Sequence, residues 1–73
     1  MYKYRTIKEK LFHEDIGVYT SYGIICINRK TKAVVAKISD VSCNKHFVKS
    51  LAKKFTRHNL SPAHFPDAVE IEL

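Results

Sequence analysis

The first residues of the chain have the composition of a β-strand but an irregular alternation. Residues 1–12 are rich in side chains with high strand propensity, and their apolar positions change phase between Tyr4 and Ile7. A β-bulge places one extra residue in a strand and shifts the phase in this way. We therefore expect a first strand with a bulge near Arg5 or Thr6.

Two further strands follow. Residues 18–27 are apolar at consecutive positions, which is typical of a central strand with both faces at least partly covered. Gly23 inside this strand indicates a bulge or a close backbone approach. Residues 32–39 alternate as a third strand, and polar segments at 13–17 and 28–31 are suited to hairpin connections. The pattern predicts an antiparallel meander of three strands.

The spacing of apolar residues then changes to that of a helix. It predicts an amphipathic helix over residues 43–58, whose apolar positions are Phe47, Val48, Leu51, Ala52 and Phe55. Ser42 is the expected N-cap of this helix. Asn59 suits the left-handed conformation that often follows a helix C-terminus.

The C-terminal segment contains a second helix start. Ser61 is a suitable N-cap, and Pro62 is favoured at the first helical position. Pro66 interrupts or restarts the helix. We expect one short helical turn at 62–65 and a helical or frayed segment at 67–72.

These elements predict a single α+β domain over residues 1–73, a three-stranded antiparallel meander with one main helix packed on one face and a short helical C-terminal segment. Either Ile24 and Cys26 or Ile25 and Ile27 face the helix. The expected core is Ile7, Leu11, Ile24, Cys26, Val34, Ile38, Phe47, Val48, Leu51 and Phe55. The C-terminal residues expected to close one edge are Phe65, Val69 and Leu73.

Composition excludes several classes of protein. The 45% hydrophobic content is too high for a disordered chain, and no apolar run approaches the roughly 20 residues of a membrane span. We therefore expect no membrane partner. No apolar segment follows Met1–Arg5, so no signal peptide is predicted. These features indicate the cytoplasm, where Cys26 and Cys43 remain reduced and act as small apolar side chains.

The charge is strongly uneven. The net charge is +6, and all 13 Lys and Arg lie between residues 3 and 57, whereas three of the 7 acids lie in the last seven residues. One helix face carries a basic stripe at i, i+4 spacing: Lys45, Lys49, Lys53 and Arg57. Such a stripe is suited to phosphates of a polyanion, because each contact releases counterions. The alternative is a solvated helix face, neutralised by the acidic C-terminus.

A second candidate surface lies on the sheet. Apolar residues on both faces of the central strand exceed what so short a chain covers, which favours a protein partner or a second copy. The candidate interface residues are Tyr2, Tyr4, Tyr19, Ile25 and Ile27. Exposed tyrosines between cations also stack on single-stranded bases. The chain lacks the aromatic motif and the element order of an RNA-recognition fold.

Enzyme and metal chemistry find little support. Cys43 and His46 have a two-residue ligand spacing but no second pair with zinc-like spacing. The closely spaced Ser61, His64 and Asp67 are better explained by helix capping than by a catalytic triad. We predict no metal, no cofactor, no small-molecule substrate and no catalytic residue.

Several short segments resemble a family of short proteins of unknown function found in Gram-positive bacteria. They are Tyr22-Gly23-Ile24, the polar helix start between residues 38 and 47, Ser61-Pro62-Ala63-His64, and Asp67-Ala68-Val69-Glu70. The resemblance spans residues 18–73, implies a small α+β domain, and carries over no activity. The leading hypothesis is a non-catalytic protein-interaction module, with self-association included. The alternative is nucleic-acid or other polyanion binding through the basic face of the 43–58 helix.

Overall fold

Three antiparallel strands form one open sheet in the order β1-β2-β3, and helices cover one face of it. The computed structural model describes residues 1–73. Its elements are β1 (Tyr2–His13), β2 (Gly17–Asn28), β3 (Val34–Ser42), α1 (Lys45–Arg57), a 3₁₀ turn (Pro62–His64) and α2 (Phe65–Glu72). The predicted α+β meander, with one main helix and a short helical C-terminal segment, is confirmed.

The pairing of β1 with β2 is uninterrupted. It runs from Tyr2 opposite Asn28 to His13 opposite Gly17 without a shift in register, so the predicted bulge near residues 5 and 6 is wrong. The apolar positions change phase because the first part of β1 places its apolar side chains on the helix side of the sheet, whereas the later part places them on the opposite side. Tyr4 lies on the helix side of the sheet, whereas three residues further Ile7 lies on the opposite side.

The irregularity falls instead in β3. The register between β2 and β3 shifts between Tyr22 and Ile24, and Asp40 in β3 has a positive φ of 53°. At Gly23 a Cβ atom would lie 2.6 Å from the carbonyl oxygen of Ile38, which leaves no space for a side chain. The predicted close backbone approach at Gly23 is therefore confirmed, and it is β3 that bends around it.

The core lies between α1, α2 and the sheet. Ile24 and Cys26 are the residues of β2 that face the helix, which settles the register left open by the sequence. The buried apolar residues are Tyr4, Ile24, Cys26, Val41, Val48, Leu51, Ala52, Phe55, Phe65 and Val69. Tyr4, Val41 and Ala52 were not in the predicted core, while Ile38 and Phe47 are partly buried against it.

Three predicted core residues, and one of the three residues expected to close an edge, lie elsewhere. Ile7 and Leu11 are half-buried on the sheet face opposite the helix, because β1 pairs without the bulge that would have turned them inward. Val34 is exposed at the start of the edge strand β3. Leu73 is exposed because it follows the last turn of α2, whose inner face is formed by Phe65 and Val69.

The ends of the helices are defined by polar side chains. Asn44, not the predicted Ser42, is the N-cap of α1, since its Oδ1 accepts the N–H of Phe47 at 3.1 Å. The Ser42 hydroxyl instead accepts the N–H of Asn44 at 3.0 Å. After α1, Asn59 has a φ of 49°, which confirms the predicted left-handed residue.

The C-terminal segment contains two helical pieces, as predicted, with shifted bounds. Ser61 caps the 3₁₀ turn by accepting the N–H of Ala63 at 3.4 Å. Pro66 lies in the first turn of α2. Backbone N–H groups in a first turn have no acceptor within the helix, so the N–H that proline lacks costs no hydrogen bond. The helix therefore begins at Phe65 and continues to Glu72.

The molecule is elongated because β1 and β2 extend beyond β3. β3 pairs with β2 only between Tyr22 and Ile27, whereas the β1–β2 pairing continues to His13. Residues 10–20 therefore form a two-stranded projection, here called the hairpin arm, and the molecule measures 40 × 24 × 19 Å. Neither helix has the length and apolar character needed to cross a membrane.

Candidate functional site

The basic stripe of α1 lies beside the edge strand β1, and the two elements enclose a groove. Its volume is about 430 Å³. Five cations line this groove: Lys49, Lys53 and Arg57 from α1, and Lys3 and Arg5 from β1. The remaining lining residues are Tyr4, Thr6, Ala52 and Thr56, so no carboxylate faces the groove. The groove between α1 and β1, here called the first groove, therefore concentrates positive charge from two elements.

Hydrogen bonds between α1 and β1 set the width of the first groove. The N–H of Tyr4 points away from β2 and donates to the Thr56 hydroxyl at 2.9 Å. Next to it, the N–H of Tyr2 donates to Oδ1 of Asn59 at 3.0 Å. Backbone groups at the start of the β1 edge are thus satisfied by the C-terminal end of α1. This pairing fixes the helix against the strand and holds their cations side by side.

Tyr4 lies beneath the first groove, in the core. Its ring makes edge-to-face contacts with Phe65 at 4.9 Å and Phe55 at 5.6 Å between centroids. Its hydroxyl donates to the carbonyl oxygen of Leu60 at 2.7 Å. Burial, and then the thiol of Cys26, raise the pKa of the Tyr4 hydroxyl well above its ordinary value. This tyrosine is therefore a neutral packing residue and offers no ring surface to a ligand.

A second, smaller groove continues from the first onto the other side of β1. Its volume is about 280 Å³, and its lining is Lys3, Arg5, Ile27, Arg29 and Lys32. Lys3 and Arg5 line both grooves, because their side chains stand at the sheet edge. The two grooves together form what we call the basic surface: Lys3, Arg5, Arg29, Lys32, Lys49, Lys53 and Arg57.

The acidic residues of the chain are engaged away from the basic surface. Both ion pairs of the molecule use other cations: Glu72 pairs with Lys54 at 2.7 Å, and Glu9 pairs with Lys37 at 3.7 Å. Asp67 and Glu70 line a separate shallow depression on α2. No C-terminal carboxylate therefore forms an ion pair with the stripe on α1.

Two carboxylates hold the bend of β3. Glu9 accepts the backbone N–H of Asp40 at 3.0 Å and the Ser39 hydroxyl at 2.8 Å, and these bonds lower the pKa of Glu9. Asp40 accepts the hydroxyls of Ser21 and Tyr19, which lowers the pKa of Asp40 and raises that of Tyr19. We call this set of side chains the β3 clamp. It keeps both carboxylates ionised.

Three of the four residues predicted to bind a polyanion line the first groove, and the fourth does not. Lys49, Lys53 and Arg57 line the first groove, but Lys45 does not, since it lies at the opposite end of α1. The sequence analysis missed the cations from β1 and from the β2–β3 connection. Alternation in Tyr2-Lys3-Tyr4-Arg5 carried a signal for them, because alternate residues of an edge strand share one side.

The five predicted interface residues do not share one surface. Tyr4 is buried at 3% exposure, and Tyr2 is half-buried on the same face of the sheet. Ile25 and Ile27 are half-buried on the opposite face, among the basic side chains. Tyr19 lies on that face too, but within the β3 clamp.

Three of the eight large apolar residues that are exposed lie on the hairpin arm. Phe12 and Val18 are cross-strand partners and lie on one face of the arm. Phe12 is 73% exposed and Val18 is 69% exposed. Ile16 in the turn is 69% exposed. A small chain seldom leaves such large side chains together in water without a partner. The sequence analysis missed this surface because it assigned residues 13–17 only a turn.

Comparison with known proteins gives a family but no activity. No curated protein and no solved structure matched the chain. The match to a family includes the first strand, which lay outside the resemblance seen in residues 18–73. By this match over residues 1–71, the chain belongs to the family of unknown function DUF6514.

Proposed function

We propose that this chain is a non-catalytic domain that binds nucleic acid through its basic surface. The observation that carries the proposal is the first groove, where three cations from α1 and two from β1 meet without a carboxylate. Like charges repel when they are brought together, so a chain without an anionic ligand gains nothing from this arrangement. A phosphate chain in the groove would relieve that repulsion.

The spacing of the cations suits a phosphate backbone. Lys49, Lys53 and Arg57 follow one another at about 6 Å along α1, from a rise of about 1.5 Å per residue. Lys3 and Arg5 are about 7 Å apart along β1. The groove exposes no aromatic ring, because Tyr4 is buried beneath it. Because the contacts would be to phosphates and not to bases, we expect binding that weakens as the salt concentration rises and that depends little on the nucleotide sequence.

The decisive experiment compares two charge reversals of equal size. We expect Lys49→Glu with Lys53→Glu to weaken nucleic-acid binding by at least 10-fold, and a matched control, Lys8→Glu with Lys54→Glu, to weaken it by less than about 3-fold. All four lysines are exposed, so circular dichroism should report an unchanged fold. Fluorescence anisotropy at low and physiological salt measures the affinities. Equal losses in both variants, or no binding by the wild type at low salt, would reject the proposal.

A second candidate function is self-association through the hairpin arm. Phe12 and Val18 form an exposed apolar pair, with Lys10 two residues away on the same face. Two arms packed antiparallel on this face would bring Glu14 and Asp15 in the turn of one copy next to Lys10 of the other. The Phe12–Val18 pairs of the two copies would bury each other, and the opposite charges would lie side by side. The partner in this second proposal is therefore a second copy of the chain.

A charge exchange tests self-association directly. Lys10→Glu should weaken the dimer, and so should Glu14→Lys with Asp15→Lys, because each variant places like charges across the interface. A mixture of the two variants should restore dimers, since both contacts then join opposite charges. Sedimentation velocity measures the mass, and Lys30→Glu serves as a charge-matched control outside the arm. A wild-type chain that stays monomeric at high micromolar concentration would rule the dimer out.

We also propose that the chain acts in the cytoplasm of a Gram-positive bacterium. The resemblance described above supports the source. Buried Cys26 and exposed Cys43 are both free thiols, which supports a reducing compartment. Fractionation of cells that express the chain tests this, and recovery from the membrane or the medium would contradict it.

A further inference from the structure

We propose that the nucleic acid is single-stranded and bends around the β1 edge from the first groove into the second. This inference rests on the proposed nucleic-acid binding and adds the strandedness of the ligand and its path. The observation behind it is that the two grooves are neighbours that share Lys3 and Arg5 but face different sides of the sheet. Lys3 and Arg5 line both, and they stand where the path would turn.

The two ends of the path are fixed by different elements. In the first groove the cations of α1 lie on the helix side of the sheet. In the second, Arg29 and Lys32 belong to the β2–β3 connection, and Ile27 lies on the face away from the helix. A ligand that contacts all seven cations must therefore pass around the edge of one strand.

Only a flexible chain can follow such a path. Duplex DNA bends smoothly over a persistence length of about 50 nm, more than ten times the 40 Å length of this molecule. A duplex would lie straight and contact the first groove alone. A single strand turns at each nucleotide and would reach Arg29 and Lys32 as well. The additional contacts in the second groove therefore favour a single strand over a duplex.

The chemistry along the path predicts little base preference. The second groove offers one apolar side chain, Ile27, and neither groove exposes an aromatic ring for stacking. Affinity would come from phosphate contacts, each contributing about −0.7 to the salt slope of single-strand binding. DNA and RNA strands of one sequence should therefore bind with similar affinity.

The test removes the second groove and leaves the first. The variant combines Arg29→Gln with Lys32→Asn, because Lys32 has a positive φ of 66° that asparagine tolerates. The probes are a labelled 20-nucleotide strand without self-complementarity, as DNA and as RNA, and the same sequence as a DNA duplex. Lys8→Gln with Lys54→Gln is the matched control, since neither lysine lines a groove. Anisotropy is measured over a series of salt concentrations.

The expected result is specific to the single strand. Wild type should bind the strand more tightly than the duplex. The second-groove variant should bind the single strand about 10-fold more weakly, and the slope of log affinity against log salt should fall in magnitude by about 1.4. Its affinity for the duplex should equal that of the wild type. The control variant should bind every probe as the wild type does. Equal losses on strand and duplex, or tighter duplex binding by wild type, would overturn the single-strand path and leave the proposed function standing. Absence of binding to every probe at low salt would overturn both.

Discussion

The two ends of the β1–β2 hairpin differ in almost every respect although they belong to the same pair of strands. At the covered end, Tyr4 and Cys26 lie under α1, edge N–H groups are bonded, and the surface is basic. At the hairpin arm no third strand and no helix is present, and Phe12 and Val18 are exposed. The difference teaches that stability and binding chemistry are supplied by what packs on a hairpin. Strand pairing alone buries no core and leaves Phe12 and Val18 exposed.

The largest expected effect separates the two ends by their contribution to stability. Phe65 is fully buried against Tyr4 and Phe55, so Phe65→Ala should lower the free energy of unfolding by about 3–5 kcal/mol. In a domain of this length such a loss approaches the whole stability. Phe12→Ala in the hairpin arm should change it by less than about 0.5 kcal/mol. Urea denaturation followed by circular dichroism measures both, and similar losses would contradict the comparison.

An intermediate effect is expected where β3 ends its pairing and the hairpin arm begins. In Gly23→Ala the new methyl group would meet the carbonyl oxygen of Ile38 at 2.6 Å, which forces the backbone of β3 to move. We expect a loss of about 1–3 kcal/mol, the usual cost of overpacking. Gly17→Ala serves as a comparison, since Gly17 has a φ of 87° but open space around it. Its cost should therefore come from backbone strain alone. A stable Gly23→Ala variant with unchanged β3 amide shifts in NMR spectra would contradict the close approach.

A smaller effect is expected from the β3 clamp and depends on pH. The pKa values of Glu9 and Asp40 are lowered in the folded chain, so the unfolded chain binds more protons in acid. Their contribution to stability is present above the unfolded-state pKa values, near 4, and is lost as the pH falls through the lower folded-state values. Asp40→Asn should flatten this acid dependence below about pH 5. Thermal unfolding measured over that range checks it, and an unchanged pH profile in the variant would contradict the role of Asp40.

Periodicity was sufficient to predict the elements and the order of the fold. Apolar residues at helical spacing gave α1, and three segments of strand-like composition separated by turn-like connections gave the meander. The face used by Ile7 was not predictable, because it depends on whether β1 pairs with β2 through a bulge or without one. Asn44 and Ser42 are both good N-caps, and only the start of the helix in three dimensions decides between them.

The candidate site was half predictable for a similar reason. A stripe on one helix is visible in sequence because its members repeat every four residues. The meeting of that stripe with Lys3 and Arg5 depends on the side of the sheet against which α1 packs, and on β1 being an edge strand. Neither is encoded locally. The exposure of Phe12 and Val18 likewise follows from the early end of β3, a property of another strand.

The bond between Tyr4 and Thr56 also has a consequence for the order of events during synthesis. It joins residues 52 positions apart, and the bond from the Tyr4 hydroxyl to Leu60 joins residues 56 apart. Closing so long a loop costs entropy that only late contacts repay. A nascent chain therefore completes its β-hairpin while the groove does not yet exist. The first groove should form only once residues 56–60 have been synthesised and have packed against β1.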